Sequence, residues 1–271
     1  MSQEWNFAGA RGRIVAREWP NANPRYAAVL VHGYGEHVGR YEYVANTLVR
    51  HGAAVYAGDH MGHGKSDGER VLIEDYEEVV ADVRRVEEKA RGTHPHVPVV
   101  LVGHSMGGMI AARYAQLHGR ELAALVLSGP VLGSWTEATS LLELDEIPHA
   151  PIDVSTLSRD PEIGRVYGDD PLVWHGPFKR PLLRALDACL KTINADGDLG
   201  TLPTMWVHGE EDKLVPLPAS RVGVETIRGT DLVERIYSGA RHEVFNETNK
   251  DEVLGDVKSF VDRVLSNQRA E

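Results

Sequence analysis

A serine stands between two glycines where an apolar run gives way to a helical pattern. The segment GHSMG (residues 103–107) follows the run VPVVLV and leads into the stretch MIAARYAQL. G-x-S-x-G between a strand and a helix is typical of a nucleophile elbow, a tight turn that strains the serine backbone and presents its hydroxyl clear of the sheet. We therefore predict that Ser105 is a nucleophile, with an ordinary serine in a glycine-rich turn as the alternative.

A serine hydroxyl needs a general base to become a nucleophile, and the base needs an orienting acid. In elbow-type proteins the chain order is serine, acid, histidine. Asp212 is the predicted acid, because the following Val-Pro pair leads away into the next helix and leaves Asp212 on a loop at a strand end. His242 is the predicted base, since no other histidine follows Asp212. Glu210 and Glu211 remain alternatives for the acid.

Two further histidines lie beside these residues in the sequence. His104 precedes the serine, but an elbow directs adjacent side chains apart, so we predict a structural histidine there. His208 ends the strand before the acidic loop and is interpreted as a packing residue rather than a base. Ser105, Asp212 and His242 therefore form the predicted catalytic set.

Acyl transfer also requires donors for the oxyanion that forms on the attacked carbonyl. The amide N–H of Met106 is the first predicted donor, because it points towards the oxyanion position from the elbow. The second is assigned to the Tyr34 N–H in the glycine-rich loop HGYGEHVGRY (residues 32–41), with Gly33 as the alternative. A merely flexible glycine turn is the competing interpretation of this loop.

The segment GDHMGHGKS (residues 58–66) places two histidines three residues apart, a spacing found in some metal sites. Glycines interrupt and flank this segment, so it predicts a structured turn rather than a ligand-bearing helix. No further ligand cluster accompanies His60 and His63 in the sequence. We predict no metal and no cofactor.

Alternating apolar runs and helical patterns predict the architecture that positions these residues. Most of the predicted strands are apolar throughout, which favours a mostly parallel sheet covered by helices on both faces, an α/β fold. The predicted strands are Ala27–Val31, Ala53–Tyr56, Val97–Val102, Ala123–Leu127, Thr204–Val207 and Val233–Tyr237. The predicted helices are Glu42–Arg50, Glu77–Arg91, Met106–His118, Ala219–Arg228 and Asp251–Ser266.

Residues 131–200 interrupt this alternation with many turn signals and no obvious strand. We interpret them as a helical cap over the carboxyl edge of the sheet, where open α/β sheets bind ligands. Residues 1–130 and 201–271 then form the core.

Composition limits the partners of this protein of 271 residues. Its 29 Lys and Arg against 40 Asp and Glu give a net charge of −11, which argues against a nucleic-acid partner and weakens attraction to an anionic membrane. The single cysteine, Cys189, cannot form an intramolecular disulfide and is interpreted as a small buried hydrophobe. With no signal-peptide pattern and no apolar stretch of about 18 residues, the sequence predicts a cytoplasmic protein with at most weak peripheral membrane association.

Six motifs together resemble the monoacylglycerol lipase family of serine α/β-hydrolases. They are HGYGEHVGRY (32–41), GDHMGHGKS (58–66), GHSMGG (103–108), LSRDPE (157–162), DPLVWHG (170–176) and RHEVFNE (241–247). The resemblance implies hydrolysis of a monoacylglycerol to glycerol and a fatty acid without a cofactor. It places the family's triad on Ser105, Asp212 and His242, and its oxyanion amides on Tyr34 and Met106.

A monoacylglycerol needs an apolar channel with a small polar end. We predict that Leu142, Ile147 and Trp174 of the cap form channel walls, with Glu36 near the polar groups. Residues 134–151 form a short, acidic lid, from which we expect weak membrane docking and good use of medium acyl chains. A lysophospholipase, a general short- or medium-chain carboxylesterase, and a non-catalytic binding scaffold of the same fold are the alternatives.

Overall fold

A twisted sheet of eight strands forms the centre of the computed structural model, which describes residues 2–267. The strands are β1 (Gln3–Ala8), β2 (Arg13–Trp19), β3 (Tyr26–Val31), β4 (Ala53–Gly58), β5 (Val99–His104), β6 (Ala124–Ser128), β7 (Thr204–Gly209) and β8 (Leu232–Tyr237). Their order across the sheet is β1-β2-β4-β3-β5-β6-β7-β8. Strands β3 to β8 pair in parallel, whereas β2 is antiparallel to both neighbours. The predicted mostly parallel sheet is confirmed.

The first two strands are absent from the sequence prediction. They form an antiparallel hairpin at the edge of the sheet, and β1 alternates between exposed and half-buried side chains. A strand solvated on one face carries no continuous apolar run, which is the signal that identified the buried central strands. The hairpin therefore lacked the pattern that identified its neighbours.

Helices cover both faces of the sheet, as predicted. They are α1 (Glu42–Arg50), α2 (Tyr76–Thr93), α3 (Met106–His118), α4 (Thr136–Thr139), α5 (Pro161–Asp169), α6 (Arg180–Ala195), α7 (Leu217–Thr226) and α8 (Lys250–Asn267). Apolar side chains of α1 and α8 pack on one face, and those of α2, α3 and α7 pack on the other. Within residues 2–267, no helix is both long and apolar enough to cross a bilayer.

Three of these helices, α4 to α6, occur in the segment between β6 and β7. Residues 131–200, all of which are described, contain no strand. Helix α6 packs its apolar side against α2 and α3, and Cys189 is buried in that contact. Burial raises the pKa of the Cys189 thiol to about 12, so it stays protonated at neutral pH. The segment has the helical character expected of a cap, and its role in covering the site stays a prediction.

Candidate active site

Ser105 occupies a strained turn between β5 and α3. Its φ of 56° and ψ of −122° lie outside the regions that non-glycine residues favour, a conformation that costs about 1–3 kcal/mol. The turn is held because the Ser105 N–H donates to the Ser128 carbonyl at 2.9 Å. Glycine is required at Gly107, where a Cβ would lie 2.1 Å from the Val31 carbonyl oxygen. The local sequence thus forces the hydroxyl clear of the sheet, as the elbow pattern predicts.

The structure brings the three predicted catalytic side chains into one hydrogen-bonded row. Nε2 of His242 lies 2.9 Å from Oγ of Ser105, and Nδ1 of His242 lies 2.7 Å from Oδ2 of Asp212. All three residues are buried, each with 6% or less of its surface exposed. They come from the ends of three different parallel strands, β5, β7 and β8, so the sheet edge positions them.

Asp212 alone of the three adjacent acids reaches the histidine. Its other oxygen, Oδ1, accepts hydrogen bonds from the Leu214 and Val215 amides at 2.9 Å each, which fixes the carboxylate within its turn. Glu210 is exposed and accepts instead from the Ser238 hydroxyl at 2.7 Å, while Glu211 is exposed to solvent. The geometry therefore favours Asp212 over both alternatives.

Opposite electrostatic effects act on the histidine and its acid. Burial would disfavour the charged form of His242, but the carboxylates of Asp212, Glu243 and Glu36 together outweigh it and raise the pKa of His242 above 6.5. Burial would raise the pKa of Asp212. Its contacts with His242 and His208 outweigh burial and hold the pKa of Asp212 far below its usual range. Asp212 is therefore ionised whenever His242 acts as a base.

His104 packs beside this row without entering it. Its ring centroid lies 4.8 Å from that of His242, and its Nδ1 lies 3.1 Å from the carbonyl and hydroxyl oxygens of Ser128. Burial lowers its pKa to about 4, so the ring is neutral at physiological pH. These contacts match the structural role predicted for it.

The geometry of the loop after β3 favours Tyr34 over Gly33 as the second oxyanion donor. The Gly33 N–H already donates to Oε1 of Glu36 at 2.7 Å. Among the described residues, the backbone amides of Tyr34 and Met106 have no protein acceptor outside regular helix bonding. Gly33 also passes close to the nucleophile, since a Cβ there would lie 3.2 Å from Cβ of Ser105. The amides of Tyr34 and Met106 therefore remain the candidate oxyanion donors.

The histidines of segment 58–66 support this loop. The His60 N–H donates to Nε2 of His32 at 2.9 Å, and Nε2 of His60 lies 3.0 Å from the His32 carbonyl oxygen. Burial lowers the pKa of His60 to about 4 and that of His63 to about 3, so both rings are neutral. Within residues 2–267, no group of three His, Cys, Asp or Glu side chains is arranged to hold a metal ion.

A buried charge network joins the loop to the histidine segment. Arg40 donates to Oε2 of Glu36 at 2.6 Å and to both carboxylate oxygens of Glu243 at 2.7 and 2.8 Å. Since Oε1 of Glu36 also accepts from the Tyr41 hydroxyl at 2.6 Å, both of its oxygens are engaged by protein groups. Glu36 therefore holds the loop after β3, and because it also borders the cavity at Ser105, its predicted place near the polar groups of a substrate stays a prediction.

A cavity of about 150 Å³ opens at Ser105 and is lined by both apolar and polar side chains. Its apolar lining includes Trp135, Ala138, Ile152, Leu157, Phe178 and Leu214. Its polar lining includes Arg40 with its hydrogen-bonded partners Glu36 and Glu243, together with His104, Glu137 and Lys213. Gly33, Tyr34, Tyr167 and His242 complete the lining.

Three residues predicted as channel walls are not part of this lining. Leu142 and Ile147 pack instead on the core around α6, where Arg180 donates to the Leu142 carbonyl at 2.9 Å. Trp174 packs on the same core and donates its indole N–H to the Pro177 carbonyl at 3.0 Å. The apolar lining was therefore assigned to the wrong part of the segment between β6 and β7, because apolar composition does not tell which side of a short turn faces the cavity.

Comparisons with known proteins place the chain in a family. The family model described as serine aminopeptidase, S33, matches residues 22–249. A monoacylglycerol lipase of Mycolicibacterium smegmatis is 39% identical over 269 residues, covering 95% of this chain and 96% of the relative. The chain belongs to the monoacylglycerol lipase family of α/β-hydrolases.

Other members of the family agree in sequence and in fold. The human monoglyceride lipase is 33% identical over 246 residues, covering 86% of this chain and 81% of the relative. The crystal structure of a Paleococcus ferrophilus monoacylglycerol lipase superposes with a TM-score of 0.79 at 26% identity, covering 93% and 98% of the two chains. The chain is therefore a carboxylic ester hydrolase that acts on lipids.

The raised pKa of His242 predicts the pH dependence of activity. Only the neutral ring can accept the Ser105 proton, so kcat/KM should fall as the pH drops through the pKa of His242, which lies above 6.5. The measurement is kcat/KM from pH 5 to 9 with an uncharged ester, whose own ionisation does not change over that range. An acid limb with its midpoint below pH 6.5 would contradict the electrostatic argument.

Proposed function

We propose that this chain hydrolyses monoacylglycerols to glycerol and a free fatty acid through an acyl-enzyme on Ser105. The observation that carries the proposal is the buried row of serine, histidine and aspartate, whose serine and histidine open onto a cavity lined by both apolar and charged side chains. The names of the similar proteins support the same substrate class.

Acylation begins when Nε2 of His242 takes the Ser105 proton, for which the 2.9 Å separation is suited. Oγ attacks the ester carbonyl, and the amides of Tyr34 and Met106 stabilise the oxyanion. Asp212 stabilises the histidinium through the 2.7 Å contact with Nδ1. The histidinium then protonates the leaving oxygen as its bond to the acyl carbon breaks, and glycerol departs.

Deacylation repeats these steps with water as the nucleophile. Neutral His242 takes a proton from water, and the resulting hydroxide attacks the acyl-enzyme carbonyl. The same two amides stabilise the second oxyanion, after which the bond to Oγ breaks and Ser105 regains its proton from His242. The fatty acid leaves, and the resting enzyme is restored without a metal or cofactor taking part in any step.

The mixed lining of the cavity suits a monoacylglycerol, which has an apolar chain and a polar end. The acyl chain is placed along Trp135, Leu157 and Phe178, where burial of apolar surface favours binding. The glycerol is placed towards the charged network of Arg40 and Glu243, since free hydroxyls need polar neighbours when they leave water. A second or third acyl chain on the glycerol would then have to enter this polar end.

We expect monoacylglycerol hydrolysis to exceed di- and triacylglycerol hydrolysis by about tenfold or more, since burying an apolar chain against charged groups is unfavourable. The measurement compares initial rates on mono-, di- and triacylglycerols of one matched chain length, all dispersed in the same detergent. Equal or greater activity on the triacylglycerol would overturn the proposed substrate class. The proposed acyl-enzyme mechanism would remain valid in that case, since a triacylglycerol would also acylate Ser105.

The acidic lid leads to a second expectation about chain length and membranes. Medium-chain monoacylglycerols should be hydrolysed at least as fast as long-chain ones, and anionic vesicles should not recruit the protein strongly, because its net charge is −11. Rates across a chain-length series and vesicle sedimentation measure these two properties. Lysophosphatidylcholine and a short-chain nitrophenyl ester belong in the same panel, since faster turnover of either one would favour the corresponding alternative enzyme.

A further inference from the structure

A second histidine contacts the acid of the triad. His208, the fifth residue of β7, is fully buried, and its Nε2 lies 3.3 Å from Oδ2 of Asp212. The same nitrogen lies 2.9 Å from the Val215 carbonyl oxygen. His208 therefore touches both ends of the turn that carries the catalytic carboxylate.

The neighbouring tryptophan fixes which ring nitrogen of His208 carries the proton. Trp206 lies two residues earlier on the same face of β7, and its indole N–H lies 3.2 Å from Nδ1 of His208. An indole nitrogen can only donate, so Nδ1 must accept. A neutral ring then carries its proton on Nε2, where it is shared between the Val215 carbonyl and the Asp212 carboxylate.

We propose that His208 is a positioning residue, which uses its Nε2–H to brace the turn 212–215 and hold Asp212 in the orientation that His242 requires. This inference rests on the serine hydrolase chemistry of the proposed function, but not on the identity of the lipid. Packing alone does not account for the arrangement, because a simple core residue needs no donor directed at a buried carboxylate. Support of this kind, from a group one step removed from the reaction, keeps catalytic side chains in productive geometry.

Two sets of donors, one from the turn and one from β7, hold the two carboxylate oxygens of Asp212. The Leu214 and Val215 amides hold Oδ1, while His208 shares Oδ2 with His242. Loss of the His208 donor leaves the Oδ1 anchors intact, but Oδ2 then keeps only its contact with His242, and the Val215 carbonyl loses its contact with the ring. The carboxylate then turns more freely, and its hydrogen bond to His242 weakens.

The test replaces His208 with methionine, which fills similar volume without a donor, and with glutamine, whose amide nitrogen can restore the donor near the Nε2 position. We expect His208→Met to lower kcat by about tenfold with KM within about twofold, and His208→Gln to recover most of that loss. Since weaker support from Asp212 lowers the pKa of His242, the acid limb of kcat/KM should move to lower pH in the methionine variant. The other groups that face His242, namely Glu36, Glu243 and neutral His104, are unchanged in both variants.

Two measurements separate this inference from the substrate assignment and from a general loss of stability. The rate of covalent labelling by a fluorophosphonate reports triad competence with no lipid present, so it remains informative if monoacylglycerol is the wrong substrate. Met205→Ala removes a buried β7 side chain on the opposite face, and we expect it to leave the acid limb in place. Equal losses in His208→Met and His208→Gln, an unmoved acid limb, or a limb moved to higher pH would each overturn the proposal.

Discussion

Replacing Ser105 with alanine is expected to abolish ester hydrolysis, with kcat falling by about four to six orders of magnitude. The variant should still fold, because the buried backbone of the turn is held by the Ser105 N–H bond to Ser128, which alanine retains. Alanine at a φ of 56° carries the same backbone strain as serine, so that strain is not relieved. The loss should therefore come from the missing nucleophile and not from unfolding.

The measurement combines turnover of a nitrophenyl ester with labelling by a fluorophosphonate, which reacts with an activated serine. Circular dichroism and thermal unfolding establish that the variant is folded. Ser259→Ala removes an exposed hydroxyl on α8 and serves as the matched control, with activity expected to be unchanged. A folded Ser105→Ala variant with wild-type turnover would overturn the whole mechanism.

Most of the helices and strands could be predicted from regular apolar patterns within short segments of the sequence. Helices α1 and α3 begin and end at the predicted residues: α1 has one regular apolar face, whereas α3 is buried on every side over residues 106–115 and follows directly from the G-x-S-x-G turn. The five central strands, β3 to β7, were recognisable because both of their faces are covered, which demands apolar side chains at successive positions, whereas β8 at the edge is only partly buried. The β1–β2 hairpin escaped prediction because its residues are partly solvated and its partners are set by tertiary packing.

The candidate triad could be predicted because the fold imposes a chain order on residues far apart in the sequence. That order left His242 as the sole histidine after the acid, and the structure places it within hydrogen-bond distance of both partners. The pair of Arg40 and Glu243 had no comparable signal, since 203 residues separate them. Arg40 lies in the motif HGYGEHVGRY and Glu243 in the motif RHEVFNE. The opposite charges of these two motifs were the one sign in the sequence that the residues could pair.

The residues between β6 and β7 that line the cavity were predicted wrongly, because tertiary packing decides which side of this segment faces the cavity. Trp135 lines the cavity because its indole donates to the Leu214 carbonyl at 2.7 Å, which fixes the ring over the acid loop. Phe178 lies against Tyr34, with ring centroids 4.5 Å apart. Neither contact follows from local periodicity, because both join the cap to loops that are distant in sequence.

Replacing Asp212 with asparagine is expected to lower kcat by about 10³- to 10⁴-fold while keeping the shape of the side chain. The Leu214 and Val215 amides both donate to Oδ1, so the asparagine must place its carbonyl oxygen there. Its NH₂ group then faces Nδ1 of His242 and acts as a donor. The histidine must accept at Nδ1 and carry its proton on Nε2, where it can no longer take the proton of Ser105.

The adjacent glutamates provide matched controls for this change, since each loses a carboxylate of the same loop. Glu210→Gln and Glu211→Gln should keep kcat within about threefold, because exposed charges outside hydrogen-bond reach of the base contribute little in water. Initial rates of the three variants on one ester, with unfolding temperatures for each, decide the assignment. If one glutamine variant lost activity while Asp212→Asn kept it, the glutamate replaced in that variant would be the acid. If Asp212→Asn alone is impaired, the fixed orientation of the asparagine amide accounts for the loss of activity. Of the three acids in this loop, Asp212 alone both anchors the turn and faces His242.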